Sequence, residues 1–147
     1  MTNSSFAIIY MDLDGLKVVN DRLGHMAGDR VLYEFSRILE DCTGELGIAM
    51  RIGGDEFVIL LKDMSPGKDL DYFVKILREK TSFVFSGQGE DSGVVCSISS
   101  SYGIATYPRD GEDAETLLHI ADKRLYEHKR DNHKQVSDRF KPHFRNA

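Results

Sequence analysis

Apolar residues along the chain fall into runs whose spacing changes from one stretch to the next, and each change predicts a different element. Phe6, Ala7, Ile8, Ile9, Tyr10 and Met11 form a nearly unbroken apolar run closed by Asp12-Leu13-Asp14-Gly15, the pattern of a buried strand ending in a polar turn. Leu16, Val18, Val19 and Leu23 suit a short helix stopped by Gly24. After Gly28-Asp29, the residues Val31, Leu32, Phe35, Ile38 and Leu39 recur at helical spacing and predict a long amphipathic helix to about Asp41. Residues 48–52 and 57–61 are strand-like runs about Gly53-Gly54-Asp55-Glu56, the strongest hairpin signal in the sequence. Leu70, Phe73, Val74 and Leu77 mark a further helix, and residues 86–93, rich in Gly, Ser and acids, a loop. Residues 94–98 and 102–107 read as strand material, 108–111 as a turn, and Leu117, Leu118, Ala121 and Leu125 as a last amphipathic helix to about Lys129.

The order strand, helix, hairpin, helix, strand, helix implies an α/β (α+β) fold, a central sheet with flanking helices on its faces. At 147 residues, 41% hydrophobic and 29% charged, the chain has the mass of one ordered domain. No apolar run reaches the length of a membrane helix and the N-terminus lacks a secretory pattern, so a cytoplasmic protein without membrane contact is expected. Cys42 and Cys96 have no metal-ligand spacing and are expected to be buried free thiols. Beyond about Asn132 the chain turns polar and basic, which gives a domain over 1–132 and a tail or linker over 133–147.

Charge sharpens this picture. The net charge is −5, but residues 1–122 carry 11 Lys and Arg against 21 Asp and Glu, whereas residues 123–147 carry 8 against 3. A body at net −10 is not a nucleic-acid binder, and a phosphorylated substrate would reach it only with cations such as Mg²⁺ between the like charges.

The candidate chemistry gathers at the turns. Asp12 and Asp14 end a buried strand, where sheet proteins present side chains to ligands, although turn formation beside Gly15 explains them too. Asp55 and Glu56 follow two glycines at the hairpin tip, and adjacent acids gain nothing structural from each other. With the hairpin beside the first strand, Asp12, Asp55 and Glu56 would make a carboxylate cluster suited to Mg²⁺. Gly53 and Gly54 offer either backbone open to a phosphate or a type I′ turn, and Gly15-Leu16-Lys17 either helix N-terminal amides for phosphate or a plain junction. An Asn donating to a carbonyl and an Asp accepting from ring N–H and amine groups would select guanine, which fits Asn20 and Asp29; Asp29 also suits a helix N-cap. Lys129 could offset a helix C-terminus or reach phosphate oxygens.

Together these residues resemble the GGDEF domain of bacterial diguanylate cyclases. The resemblance rests on residues 11–21 (Met-Asp-Leu-Asp-Gly-Leu-Lys-Val-Val-Asn-Asp), 24–29 (Gly-His-Met-Ala-Gly-Asp), 51–57 (Arg-Ile-Gly-Gly-Asp-Glu-Phe), 101–105 (Ser-Tyr-Gly-Ile-Ala) and 121–129 (Ala-Asp-Lys-Arg-Leu-Tyr-Glu-His-Lys), in order over roughly residues 6–132. It implies a palm-like or ferredoxin-like fold related to adenylyl cyclase catalytic domains, and the Mg²⁺-dependent (or Mn²⁺-dependent) condensation of two GTP into cyclic di-GMP, with loss of pyrophosphate. By the same resemblance Asp12, Asp55, Glu56 and the Leu13 carbonyl hold metal, with Asp55, Glu56 and Asp12 catalytic. Asn20 and Asp29 recognise guanine, while Gly15, Leu16, Lys17, Gly53, Gly54 and Lys129 receive phosphates. Each domain holds one GTP, so a homodimer is required, and attached sensory or effector domains are implied.

Three departures bear on these expectations. The family's Arg-x-x-Asp product-inhibition motif falls on Gly44-Glu45-Leu46-Gly47, so feedback through that site is not expected. The family's Gly-Arg-Asn aligns with Asn132-His133-Lys134, which puts His133 where a phosphate-binding Arg is usual. Only five residues precede Phe6, where the family has a longer segment, so a fragment of a longer sensor protein is expected. The alternative reading is a weak or inactive GTP-binding regulatory module that controls an attached domain; an ATP-using cyclase fits Asp29 less well.

Overall fold

A computed structural model describes the backbone of residues 4–145 and the side chains through residue 131. The chain forms β1 (Phe6–Asp14), α1 (Leu16–Leu23), α2 (His25–Thr43), β2 (Gly47–Gly53), β3 (Glu56–Lys62), α3 (Lys68–Lys80), β4 (Phe83–Ser86), β5 (Val95–Tyr107) and α4 (Ala114–Arg145), with short 3-10 turns at 44–46 and 89–91. The strands make one five-stranded sheet in the order β2-β3-β1-β5-β4, and every neighbouring pair is antiparallel. The expected sheet with flanking helices is therefore present.

Strand alternation divides the core in two. On β1 the odd-numbered Ala7, Ile9, Met11 and Leu13 are buried with Val19, Val31, Phe35 and Leu39 of α1 and α2 and with Leu70, Phe73 and Leu77 of α3. The even-numbered Ile8 belongs to a smaller cluster with Val58, Ala105, and Leu117 and Ala121 of α4. The first three helices thus cover one face and α4 the other. At Gly103 the helix lies directly on the sheet: a Cβ there would stand 2.0 Å from the Ala121 carbonyl oxygen and 2.3 Å from the Leu125 nitrogen.

Several boundaries differ from the sequence expectation for identifiable reasons. α2 starts at His25, not after Gly28-Asp29: Gly24 (φ 89) turns the chain between two helices, and Gly28, which reads as a helix breaker in the sequence, is a buried residue inside α2 packed against Asn20. Asp29 is therefore inside the helix, and its N-cap reading is corrected. The two segments expected at 94–98 and 102–107 are one strand, whose continuity is hidden by Ser99-Ser100-Ser101 but enforced by pairing with β1. β4 is a four-residue edge strand built on Phe83-Val84-Phe85 and is an element beyond those expected from the sequence. α4 continues past Lys129, since no Gly or Pro interrupts residues 112–141. The tail reading of residues 133–147 and the replacement at His133 lie outside the residues with described side chains. Cys96 is buried and Cys42 half-buried, both as free thiols.

One ion pair ties α4 to the end of β5. Arg124 donates to both carboxylate oxygens of Asp110 at 3.0 Å, and the Thr106 amide donates to the same carboxylate at 2.8 Å. Arg124's hydrogen bonds lead the causes that hold Asp110 below the ordinary carboxylate value of 3.8. A lowered folded-state value means a contribution complete above the ordinary range and lost as pH falls through the folded one. Asp110→Asn should accordingly lower stability by about 1–2 kcal/mol at neutral pH, discounted for the half-exposed arginine. In urea titrations the gap from the native sequence should close towards about pH 3; an equal gap at both pH values would assign the loss to packing.

Candidate active site

The end of β1 delivers Asp12 to the α4 face, because Tyr10 and Asp12 continue the even-numbered register of Ile8. Asp12 is 8% exposed and stands opposite Glu56 of β3 and Ser101 of β5. From above, Leu117, Ala121 and Leu125 descend α4 at four-residue spacing, and the next member of that stripe is Lys129. Its Nζ donates to Asp12 Oδ2 at 2.6 Å and lies 3.7 Å from Asp14 Oδ1. The preceding residue fixes this turn of helix: His128 Nδ1 accepts from the Tyr102 amide at 3.0 Å, and the two rings meet edge to face at 4.5 Å. Burial, then Arg78, pushes the His128 imidazole below its ordinary value, in keeping with a neutral acceptor. Asp14 is held from its other side by the Ser101 hydroxyl at 2.6 Å.

The hairpin tip is tied to the same place by backbone. The Leu13 amide donates to the Asp55 carbonyl at 2.9 Å, and Arg51 Nε donates to the Gly54 carbonyl at 2.9 Å, bracing the turn. Of the two glycines only Gly54 has a positive φ (54°), and Asp55 does not follow it there. The type I′ pattern, which needs two such residues, is thus not formed. Burial and then the neighbouring Asp12 raise the Asp55 carboxyl above its ordinary value. Glu56 accepts a hydrogen bond from the Tyr10 hydroxyl at 3.1 Å.

Two observations make this strand end fit a hard divalent cation. Asp12 Oδ1 is buried with no hydrogen-bond partner, which is costly unless something else meets it, and the Asp55 carboxyl beside it is pushed up by burial and by Asp12. Among the described residues no three of His, Cys, Asp or Glu stand close enough together to hold a metal, so the Asp12–Asp55–Glu56 cluster expected from the sequence is not formed as a three-carboxylate site. A cation here would rest on Asp12 and Asp55 and need further oxygen ligands from water or substrate.

The remaining sequence candidates border the same end of the sheet. Gly15 caps α1 at φ 106, and a Cβ there would meet the Ser97 carbonyl oxygen at 2.5 Å, so only glycine serves. The first turn of α1 carries no acidic side chain and no side-chain cap, leaving the Leu16 and Lys17 amides available to an anion. Lys17 itself is exposed and pairs with Asp21 at 3.2 Å. Nothing lies within 4 Å of Cβ positions built on Gly53 and Gly54, so their turn is open. Asn20 lies against α2 across the α1–α2 junction, its Oδ1 in the space beside Gly28, 1.8 Å from where a Cβ would stand; Asp29 is the next residue along α2 and is exposed.

The sequence profile described as "Diguanylate cyclase, GGDEF domain" matches residues 1–135. The chain belongs to the GGDEF domain family. Diguanylate cyclase A of Treponema denticola is 32% identical over 90% of this chain and 35% of its own length. The bifunctional diguanylate cyclase/cyclic di-GMP phosphodiesterase MucR of Pseudomonas aeruginosa is 40% identical over 82% of this chain but only 17% of its own length. The crystal structure of the GGDEF domain of TpbB from P. aeruginosa superposes with a TM-score of 0.77 at 33% identity, covering 87% of this chain and 78% of that one. The chain thus spans about a third or less of these full-length curated relatives. Among the described residues no helix is long and apolar enough to cross a membrane.

Within this GGDEF domain the structure gathers Asp12, Leu13, Asp55, Glu56 and Lys129 at one strand end, with Gly15 to Lys17 at the adjoining helix start and Asn20 with Asp29 at the helix junction. Sequence reasoning passed over Tyr10, Ser101, Arg51 and His128. Tyr10 was findable, lying two residues before Asp12 and so on the same face of a strand. Ser101 was not, because only the β1–β5 register places it opposite Asp12.

The raised Asp55 value carries a stability consequence. The folded state keeps that proton to higher pH than the unfolded chain does, so its contribution falls as pH rises through the carboxylate range. In chelator at neutral pH, Asp55→Asn should therefore raise Tm, an advantage that vanishes in acid where both forms are neutral. A lower Tm at neutral pH would show that the Asp55 carboxylate is a net stabilising contact.

Proposed function

We propose that this domain condenses two molecules of GTP into cyclic di-GMP, working as a two-fold homodimer in the cytoplasm. The observation that carries this reading is the pairing of a buried, unsatisfied Asp12 oxygen with the neighbouring Asp55 carboxyl beneath an open glycine turn. Family membership and the named cyclases among the relatives support it.

In each half-reaction the 3′-oxygen of one GTP forms a bond to the α-phosphorus of the other, the bond to the bridging oxygen breaks, pyrophosphate departs, and the 3′-hydroxyl proton is lost. Asp12, Asp55 and the Leu13 carbonyl would hold Mg²⁺ or Mn²⁺, which supplies Lewis-acid stabilisation of charge at the phosphate and of the ionised hydroxyl. The chain's own part is placement. The amides of residues 15–17 and the Gly53-Gly54 turn receive phosphate oxygens, and the Asn20 amide and Asp29 carboxylate read the guanine edge. Tyr10 orients Glu56 by its hydrogen bond. One domain offers one nucleotide site, so the second nucleotide comes from a second copy facing it.

The deciding assay is mass-spectrometric detection of cyclic di-GMP after incubation with GTP and Mg²⁺ at several protein concentrations, beside Asp55→Ala. A specific rate that rises with concentration and vanishes in the variant is expected. GTP binding without product at any concentration, in a chain carrying its attached domains, would instead favour a regulatory module. A second variant separates recognition from folding. Gly28→Ala should displace the Asn20 side chain and weaken GTP binding about tenfold or more, the loss of a bidentate-type polar contact. Its Tm should change little, because the obstructing atom ends a movable side chain. Unaltered GTP affinity would remove Asn20 from the guanine site.

A further inference from the structure

Among the described residues, Lys129 is the one cation within ion-pair distance of Asp12 or Asp14, and a single ammonium bridges both carboxylates at 2.6 and 3.7 Å. It is delivered there by rigid neighbours. Leu117, Ala121 and Leu125 anchor the helix stripe above it, and the His128 contact with Tyr102 holds the adjacent residue. Although burial opposes its charge, Asp12, Asp14 and Asp55 together outweigh that effect and keep the ammonium protonated above its ordinary range. Its side chain is nevertheless 36% exposed on a flexible stem, so it can leave without unpacking the helix.

The acidic strand end therefore already has a cation, and its position conflicts with another. A divalent ion bound between Asp12 and Asp55 would stand within a few ångströms of the Lys129 ammonium, where repulsion between like charges is strong even at high effective dielectric. We propose that Lys129 is the resident counter-cation of this site, holding Asp12 and Asp14 together until a divalent ion takes Asp12 and drives the ammonium off. The inference rests on the reading above of Asp12 and Asp55 as cation ligands.

Two consequences follow from the competition. Lys129 holds down divalent-ion affinity when nucleotide is absent. A bound nucleotide relieves that penalty, because the displaced ammonium then has phosphate oxygens to meet, and cation and nucleotide bind with positive coupling. Asp14 gains a role as well: fixed by the Ser101 hydroxyl, it is the second arm of the lysine cradle, not a cation ligand.

Mn²⁺ binding measured by electron paramagnetic resonance, without nucleotide, tests the proposal on the intact chain. Lys129→Met and Lys129→Gln should each bind Mn²⁺ about tenfold more tightly than the native sequence, as expected for removing one positive charge beside the ion, while Lys129→Arg should not tighten it. In chelator both neutral variants should have a lower Tm, and Mn²⁺ should raise that Tm more than it raises the native one. Unchanged or weaker Mn²⁺ affinity in both neutral variants, with native binding still lost in Asp12→Asn, overturns the counter-cation role and leaves the cation-ligand reading standing. Native binding of Mn²⁺ that survives both Asp12→Asn and Asp55→Asn overturns that reading and this proposal together.

Discussion

A strand's side chains alternate between two faces, so burying Ala7, Ile9, Met11 and Leu13 against α1 to α3 leaves Asp12 only the face that α4 covers. A slip of one residue would exchange the core for solvent, which costs far more than any repulsion among carboxylates. The hydrophobic register thus overrules electrostatics at the end of β1. Pairing with β3 then brings Glu56 opposite Asp12, the Leu13–Asp55 backbone bond brings the second aspartate, and α4 packed on Gly103 brings Lys129 down from above.

What results is a site that opposes stability and is held by elements that do not. An unsatisfied carboxylate oxygen and a raised neighbouring carboxyl are both unfavourable in the folded chain. Their support comes from fully buried Leu13, Phe57, Ile59 and Leu117, and from the Asp110–Arg124 tie that secures α4 some distance away. Such separation of stabilising and functional parts is what a binding site for an ion and an anionic ligand requires: charge density is kept until the ligand neutralises it.

Much of this was legible in the sequence, and the rest was hidden for definite reasons. The buried strand before Asp12, the Gly-Gly hairpin and the helix beginning at Gly15 all announce themselves through periodicity and turn chemistry, and the family motifs add the roles. The start of α2 is hidden by Gly28, which reads as a breaker although it lies buried inside the helix, and with it the position of Asp29 changes from a cap to a helix residue. β5 looked like two strands because Ser99 to Ser101 break the apolar run, yet Ser101 is fully buried and holds Asp14. Lys129 was identified as a phosphate contact, but its present partners depend on which helix crosses which strand, and no local pattern encodes that. The extension of α4 was missed because its later residues lack an apolar stripe, although nothing in them forbids a helix.

The central claim is that Asp12 and Asp55 share one divalent cation on which a nucleotide phosphate also rests. Anomalous diffraction from crystals grown with Mn²⁺ and a non-hydrolysable GTP analogue tests it most directly. The expected result is a manganese peak in contact with carboxylate oxygens of both aspartates and with phosphate of the analogue, the guanine lying between Asn20 and Asp29. Bound analogue with its manganese out of reach of Asp12 and Asp55 would contradict the account.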